Sequence, residues 1–307
     1  MSRLTRRQCL GATGLGALAL AAPARPAPQA DQRWTLGINT STIRPAGLEE
    51  KIDAVADAGF QAIELWSGDL GRYEKAGNSL DDIRRRLQDR GLLVANVIGL
   101  WNSMPRDEAQ KARRYEELKP QLAQAARVGA RHIAAVPGPD RPDMDVRWVA
   151  RRYRELLDLG KDFGITVAVE FLGPIKGIHT LGQAAAIAIE SDRPQARIVA
   201  DTYHLYRGGS SFRNAGFLAG SAYAVWHFND VPESPPQSQL RDADRIYPGD
   251  GILPLAQLLR DLWAAGFRGP LSVEMFNRQE WKRPAADVCR AAMAKMQALI
   301  AKSGTGT

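Results

Sequence analysis

The chain has 307 residues, a formal net charge of +7 and two cysteines. That length, with 45% hydrophobic residues, excludes a disordered acidic or basic tail and a disulfide-stapled miniprotein. The positive charge does not mark a nucleic-acid binder. Arginines cluster as Arg84-Arg85-Arg86, Arg113-Arg114 and Arg151-Arg152, runs typical of solvated helix faces, with no basic patch interleaved with aromatics.

At the start, Thr5-Arg6-Arg7-Gln8-Cys9-Leu10 is a twin-arginine pattern. An apolar stretch over 10–22 follows and ends in small residues near Ala22-Pro23-Ala24. This is the layout of a twin-arginine export signal. Residues 1–24 are therefore expected to be a cleaved signal, 25–32 a linker, 33–303 the folded domain and 304–307 a tail. The apolar core is too short to span a bilayer and no later run is long enough. The expected location is the periplasm, with the twin-arginine export machinery as a partner. Cleavage removes Arg3, Arg6 and Arg7 and no acid, so the charge falls from +7 to +4. It also removes Cys9, leaving Cys289 alone and excluding an internal disulfide. Substrates of this route cross already folded, which suits a protein that takes up its cofactor before export.

Apolar runs then alternate with helical patterns along the whole chain. A strand is expected over 34–42, then a helix over 48–58 closed by Gly59. A strand over 62–66 precedes a helix over 80–90 stopped by Gly91. A strand over 92–100 leads to a long helical stretch over about 106–128, interrupted at Pro120. Next come a strand over 132–136 ended by Pro137-Gly138, and a helix over 146–163 closed by Gly164. A strand over 165–171 is followed by a helix over 181–190. The run at 198–200 is a short strand, with a weaker helix over 212–219 behind it. A strand over 222–228, a helix over 253–265, a strand over 270–276 and a helix over 285–302 complete the series. Eight βα units imply an α/β fold: a parallel sheet closed into a single-domain (β/α)8 TIM barrel.

Four consecutive strands, the fifth to the eighth, end in side chains able to bind a metal. Val167–Val169 runs into Glu170, Ile198–Ala200 into Asp201, Val225-Trp226 into His227, and Leu271–Val273 into Glu274. The first two intervals are about 31 and 26 residues, close to one βα unit. The third is longer by the polar loop over 230–251. The C-terminal tips of barrel strands are where such folds place their chemistry, so the four converge on one arc of the mouth. Three carboxylates and one imidazole make a hard, oxygen-rich donor set. It suits one divalent ion, Mn2+ first, with Mg2+, Co2+ or Zn2+ as alternatives. Packing the carboxylates together without a cation would be costly.

Five further stretches accompany these tips: A-V-E-F-L-G (168–173), D-T-Y-H-L-Y-R-G-G (201–209), W-H-F-N-D-V (226–231), D-R-I-Y-P-G-D-G (244–251) and S-V-E-M-F-N (272–277). In this order the chain resembles the xylose-isomerase-like TIM-barrel superfamily of sugar isomerases and epimerases, nearest to inosose isomerases and keto-sugar epimerases. The resemblance covers the whole mature chain. It implies that Glu170, Asp201, His227 and Glu274 hold one metal and that Glu170 and Glu274 are also the acid/base pair. It further implies that His204 and Arg245 contact substrate oxygens. The reaction so implied is proton abstraction next to a carbonyl of a keto-sugar or keto-cyclitol, through a metal-bound enediolate. In ketohexose epimerases a sugar-binding Glu lies six residues after the first metal Glu. Lys176 stands there in this chain, which argues against a ketohexose and offers a cation to an anionic group. Asn39 and Glu64, on the first two strands, and Trp66 are further candidate substrate contacts. Trp101, Trp226 and Phe171 join Trp66 as a candidate apolar wall. His179 follows the fifth strand in a Gly-flanked loop, and His132 begins the fourth strand and reads as structural.

A lyase or dehydratase using the same site is the alternative, eliminating a β-leaving group from a 3-keto-glycoside, an inosose or a dehydroshikimate-like substrate. A phosphodiester nuclease fits less well, because only one histidine is placed on the metal. A barrel that only binds sugar would hold a metal without exchanging protons. The expected partner is a small carbohydrate or cyclitol, with no nucleic acid and no membrane span, and a homodimer stays open.

Overall fold

The structure, a computed structural model, describes residues 34–306. The expected export signal and linker lie outside the described residues. Eight strands close into one all-parallel barrel in sequence order, with β1 paired to β8. They are β1 (Thr35–Asn39), β2 (Ala62–Trp66), β3 (Leu93–Leu100), β4 (His132–Ala135), β5 (Thr166–Glu170), β6 (Arg197–Asp201), β7 (Tyr223–Phe228) and β8 (Pro270–Val273). Around them run α1 (Leu48–Asp57), α2 (Ser67–Lys75), α3 (Leu80–Asp89), α4 (Glu108–Arg127), α5 (Val146–Asp162), α6 (Leu181–Glu190), α7 (Thr202–Arg207), α8 (Leu255–Ala264) and α9 (Ala285–Ser303). Among the described residues no helix is long and apolar enough to cross a membrane.

Local chemistry sets the boundaries. Helix α5 starts at Asp145, whose side chain accepts from the Trp148 amide, and α6 starts in a reciprocal box between Thr180 and Gln183. Both satisfy amides that have no partner within the helix. Gly59, at φ +87°, takes the left-handed turn that releases the chain from α1 into β2.

Four expectations are corrected. The first strand stops at Asn39 rather than running to 42. The Asn39 side chain accepts from the Ser41 amide and starts a 3-10 turn over Thr40–Ile43. Pro120 does not interrupt α4, which runs unbroken for 20 residues. Pro120 is exposed, so the carbonyl that loses its intrahelical donor is on the solvent side of the helix. The weak helix over 212–219 is a 3-10 segment, Phe212–Phe217. It contains Asn214 and Gly216, poor helix formers, and a Cβ on Gly216 would meet Asp261 of α8 at 3.0 Å. Helices α2 and α7 are additional to the expected set, and both start directly at a strand tip.

The apolar residues split into two bodies. The larger lies between strands and helices and includes Trp226, Phe171, Tyr153 and Leu258. The smaller, with Ile98, Ala134, Ala168, Val199 and Val225, comes from β3 to β7 and lies in the lumen. Buried polar side chains, Glu64 and Asn96 among them, share the lumen with it.

Candidate metal centre

Alternate residues of a strand share one face. Ala168 is followed two residues on by Glu170, Val199 by Asp201, Val225 by His227 and Ser272 by Glu274. The apolar member of the first three pairs lies in the lumen cluster, so its partner faces the lumen one layer higher. Asp201 is level with His227, and His227 with Ser272, whereas Glu170 is level with Val199. Strand tilt in a closed barrel converts this stagger into a common height at the mouth.

His227 is the hub. Its Nδ1 lies 3.3 Å from Glu274 Oε2, 3.5 Å from Asp201 Oδ2 and 3.6 Å from Glu170 Oε1. It has no hydrogen-bond partner among the described residues. Behind the ring, Nε2 donates to Glu64 Oε2 at 3.0 Å, and the same oxygen accepts from Asn96 Nδ2 at 2.9 Å. With a carboxylate acceptor there, the neutral ring carries its proton on Nε2, which leaves the Nδ1 lone pair on the side of the three acids for a cation that displaces the second proton.

Arg245 closes the other side. Its Nη1 donates to Asp201 Oδ2 and to Glu274 Oε2, each at 2.8 Å. Its Nη2 donates to Asp242 Oδ1 at 2.6 Å and lies 3.3 Å from His204 Nε2. The guanidinium is flanked by the rings of Tyr203 at 4.4 Å and Phe276 at 5.0 Å. Asp201 is also the N-cap of α7, accepting from the His204 amide at 3.0 Å, and it accepts from Asn229 Nδ2 at 3.2 Å.

The electrostatics follow from burial. Glu170 and Glu274 are 3% and 4% exposed, and Asp201, His227 and Glu64 are fully enclosed. Burial, reinforced by Glu274, Asp201 and Glu64, pushes the Glu170 carboxyl up to about 8. Burial also raises Glu274 above its ordinary range. Burial opposes ionisation of Asp201 too, but Arg245 and His227 hold it well below the usual range. Burial would discharge His227, yet Glu274 and Glu64 keep it well above its ordinary value. Burial takes His204 down to about 4, so it is neutral beside Arg245. Such a cluster is short of positive charge. Nδ1 and the surrounding carboxylates could together serve as the donor set of a divalent cation. Ligand atoms of Asp201, His227 and Glu274 all lie within 4.8 Å of one another, and Glu170 stands beside them.

All six of Glu170, Asp201, His227, Glu274, His204 and Arg245 come together. The remaining candidates separate. Glu64 lies behind His227, bonded to its far nitrogen, and does not line open space. Asn39 is fully buried, its Oδ1 held by the Ser41 amide and by Trp66 Nε1 at 2.7 Å. Trp66 stays at the rim, with Trp101 stacked at 6.1 Å and Phe276 edge-on at 5.9 Å. The expected wall is corrected here. Trp226 and Phe171 are enclosed in the outer core, because their strand positions point to the helices. Lys176 is exposed after β5, its backbone amide bonded to Asp140. The His179 ring bonds the Gly177 carbonyl at 3.0 Å while its amide donates to Gln183 Oε1 at 2.9 Å, and His132 bonds the Ala95 carbonyl at 3.1 Å, at the N-terminal end of the barrel.

Sequence reasoning missed Asn96, Asn229, Asp242, Tyr203 and Phe276. Two left signals: Asn96 is a lone amide inside an apolar strand, and Asn229 continues the alternation of Val225 and His227.

The molecule is therefore a (β/α)8 barrel with a carboxylate-rich centre at its C-terminal mouth, the face on which such barrels carry their sites. The chain belongs to the xylose isomerase-like TIM barrel family, whose profile matches residues 52–299. An inosose isomerase of Bacillus velezensis is 26% identical over 270 residues, covering 85% of this chain and 95% of the relative. A 3-dehydroshikimate dehydratase of Pseudomonas aeruginosa is 26% identical over 237 residues, 75% of this chain but 36% of that longer protein. Among solved structures, the IOLI protein with a binding zinc atom superposes with a TM-score of 0.79 at 24% identity. It covers 88% of this chain and 99% of that one.

Proposed function

We propose that the protein is a divalent-metal-dependent isomerase or epimerase of a keto-cyclitol or keto-sugar, acting by proton transfer next to a carbonyl. The observation that carries this reading is the convergence of Glu170, Asp201 and Glu274 on the unpartnered Nδ1 of His227. These four side chains would hold the ion, Mn2+ by the chemistry of the donor set, while the zinc atom of the IOLI structure makes Zn2+ the rival. The ion's contribution is Lewis-acid polarisation of a substrate carbonyl.

The proton chemistry belongs to the two glutamates. Glu170, on β5, and Glu274, just past β8, reach the centre from different strands. One takes the proton from the carbon beside the carbonyl, and the other returns a proton to the neighbouring carbon or to the opposite face. Arg245 brings a fixed positive charge to the oxygen on which negative charge grows. Neutral His204 offers its ring to a substrate hydroxyl.

The dehydratase relative favours a second reading, in which the same abstraction ends in loss of a β-leaving group. One experiment separates the two. The metal-loaded protein is incubated in D2O with inososes, keto-sugars and 3-keto-glycosides, and each mixture is followed by NMR and mass spectrometry. Deuterium entering next to the carbonyl at otherwise unchanged mass supports the isomerase. Loss of water or of an aglycone moves the assignment to the lyase, and no exchange with any compound rejects both. We also propose export to the periplasm, resting on Arg6-Arg7 and the apolar stretch behind them. Retention of an Arg6→Lys, Arg7→Lys double variant in the cytoplasm would support it, and unchanged export would refute it.

A further inference from the structure

The centre is almost sealed. Glu170, Glu274 and His204 are 3%, 4% and 5% exposed, and Arg245 is 1% exposed across the top of Asp201 and Glu274. On the outer side of Arg245 lies a cavity of about 720 Å³, within the ~300–1,000 Å³ usual for small-molecule sites. It opens between the segments that follow β6 and β7. Asp242 belongs to both places: it lines the cavity and holds Arg245 Nη2 at 2.6 Å. Tyr203 does the same with its ring, lining the cavity and packing on the guanidinium at 4.4 Å. Asp242 and Tyr203 therefore link the cavity to the guanidinium that bonds the candidate metal ligands Asp201 and Glu274.

The lining describes its ligand. Pro174, Pro235 and Leu240 give apolar surface, while Arg207, Arg241, Asp242 and Gln239 give hydrogen-bonding groups. Two arginines and two aspartates, Asp242 and Asp244, balance in charge. That balance disfavours a phosphate or carboxylate. Apolar patches for C–H faces beside fixed donors and acceptors for hydroxyls suit an uncharged polyhydroxylated ring. A monosaccharide reacting at the metal centre would leave this volume unused.

We propose that the cavity is a subsite for the second ring of a two-ring substrate, a keto-glycoside whose reacting ring sits at the metal centre. Asp242 and Arg245 form the door between the two rings. This rests on the metal centre being the reacting site, and it narrows the substrate from a keto-sugar to a keto-glycoside.

Calorimetric titration of the purified full chain with glucose, cellobiose and glucose 6-phosphate tests the subsite without any turnover. Cellobiose is expected to bind at least tenfold more tightly than glucose. Ser238→Trp, which fills the cavity, and Arg241→Ala, which removes a donor, are both expected to erase that ratio and leave glucose unchanged. Both positions are exposed, and unaltered thermal melting checks folding. Cellobiose binding no tighter than glucose, or undetectable, would overturn the subsite. So would a ratio untouched by both variants, or glucose 6-phosphate binding more tightly than cellobiose. The deuterium-exchange assay reports separately on the metal centre. Tenfold discrimination with no exchange on any carbonyl compound would keep the subsite and reject the isomerase reading.

Discussion

The two halves of the barrel mouth do different work. The arc from β5 to β8 carries Glu170, Asp201, His227 and Glu274, the proposed metal ligands. The arc from β1 to β3 carries Asn39, Glu64 and Asn96, equally buried and equally polar, whose bonds go to other protein groups. One arc presents donor atoms to the lumen, and the other fixes how they are presented. Burial and charge alone do not mark a reacting group. What distinguishes the arcs is the gathering of carboxylates: Glu170, Asp201 and Glu274 all lie within 3.6 Å of His227 Nδ1, whereas the other arc has one carboxylate, Glu64, on the far nitrogen at 3.0 Å.

Substitutions on the two arcs should therefore fail in different ways. The largest effect is expected from Glu274→Gln and Glu170→Gln, each lowering the exchange rate by about 10²–10⁴-fold, read by deuterium incorporation in D2O. Glu64→Gln should act through metal affinity. An amide no longer compels the proton onto Nε2, and affinity should fall by about 10–100-fold in chelator competition. A reduced exchange rate at saturating metal with unchanged affinity would instead move Glu64 to the reacting arc. Trp66→Phe loses the bond to Asn39. At about 1 kcal/mol this should raise KM several-fold and leave the rate at saturation unchanged. Lys176→Ala should change neither KM nor rate by more than about twofold, since the side chain is exposed and a surface change is worth within about 0.5 kcal/mol. A large rise in KM would return Lys176 to the substrate.

The reacting arc was legible in the sequence because its signal is local. An acid or imidazole ending an apolar run can be read strand by strand, and the repeat of βα units aligns the strand ends. The supporting arc was less legible. Glu64 and His227 are 163 residues apart, and nothing in the spacing of β2 and β7 says which oxygen meets which nitrogen across the lumen. Glu64 and Asn39 are visible as polar candidates on the first two strands, but their partners are not. Arg245 was visible through family likeness, whereas its anchor Asp242 lies in an irregular loop without periodicity. Trp226 and Phe171 misled because a strand tip sends alternate residues outward, and short runs do not show which. Helix α7, only six residues long, is too short to register as an amphipathic pattern.

The central claim is that the four side chains of one arc hold a single ion and that proton transfer depends on it. The most direct test is to strip the protein with chelator and titrate Mn2+ back while following deuterium incorporation into a reactive compound from the D2O panel. The account predicts no exchange in the stripped protein and a linear rise that levels at one equivalent per chain, with no rise in Asp201→Ala. Exchange that persists without metal, or that Asp201→Ala leaves intact, would contradict it.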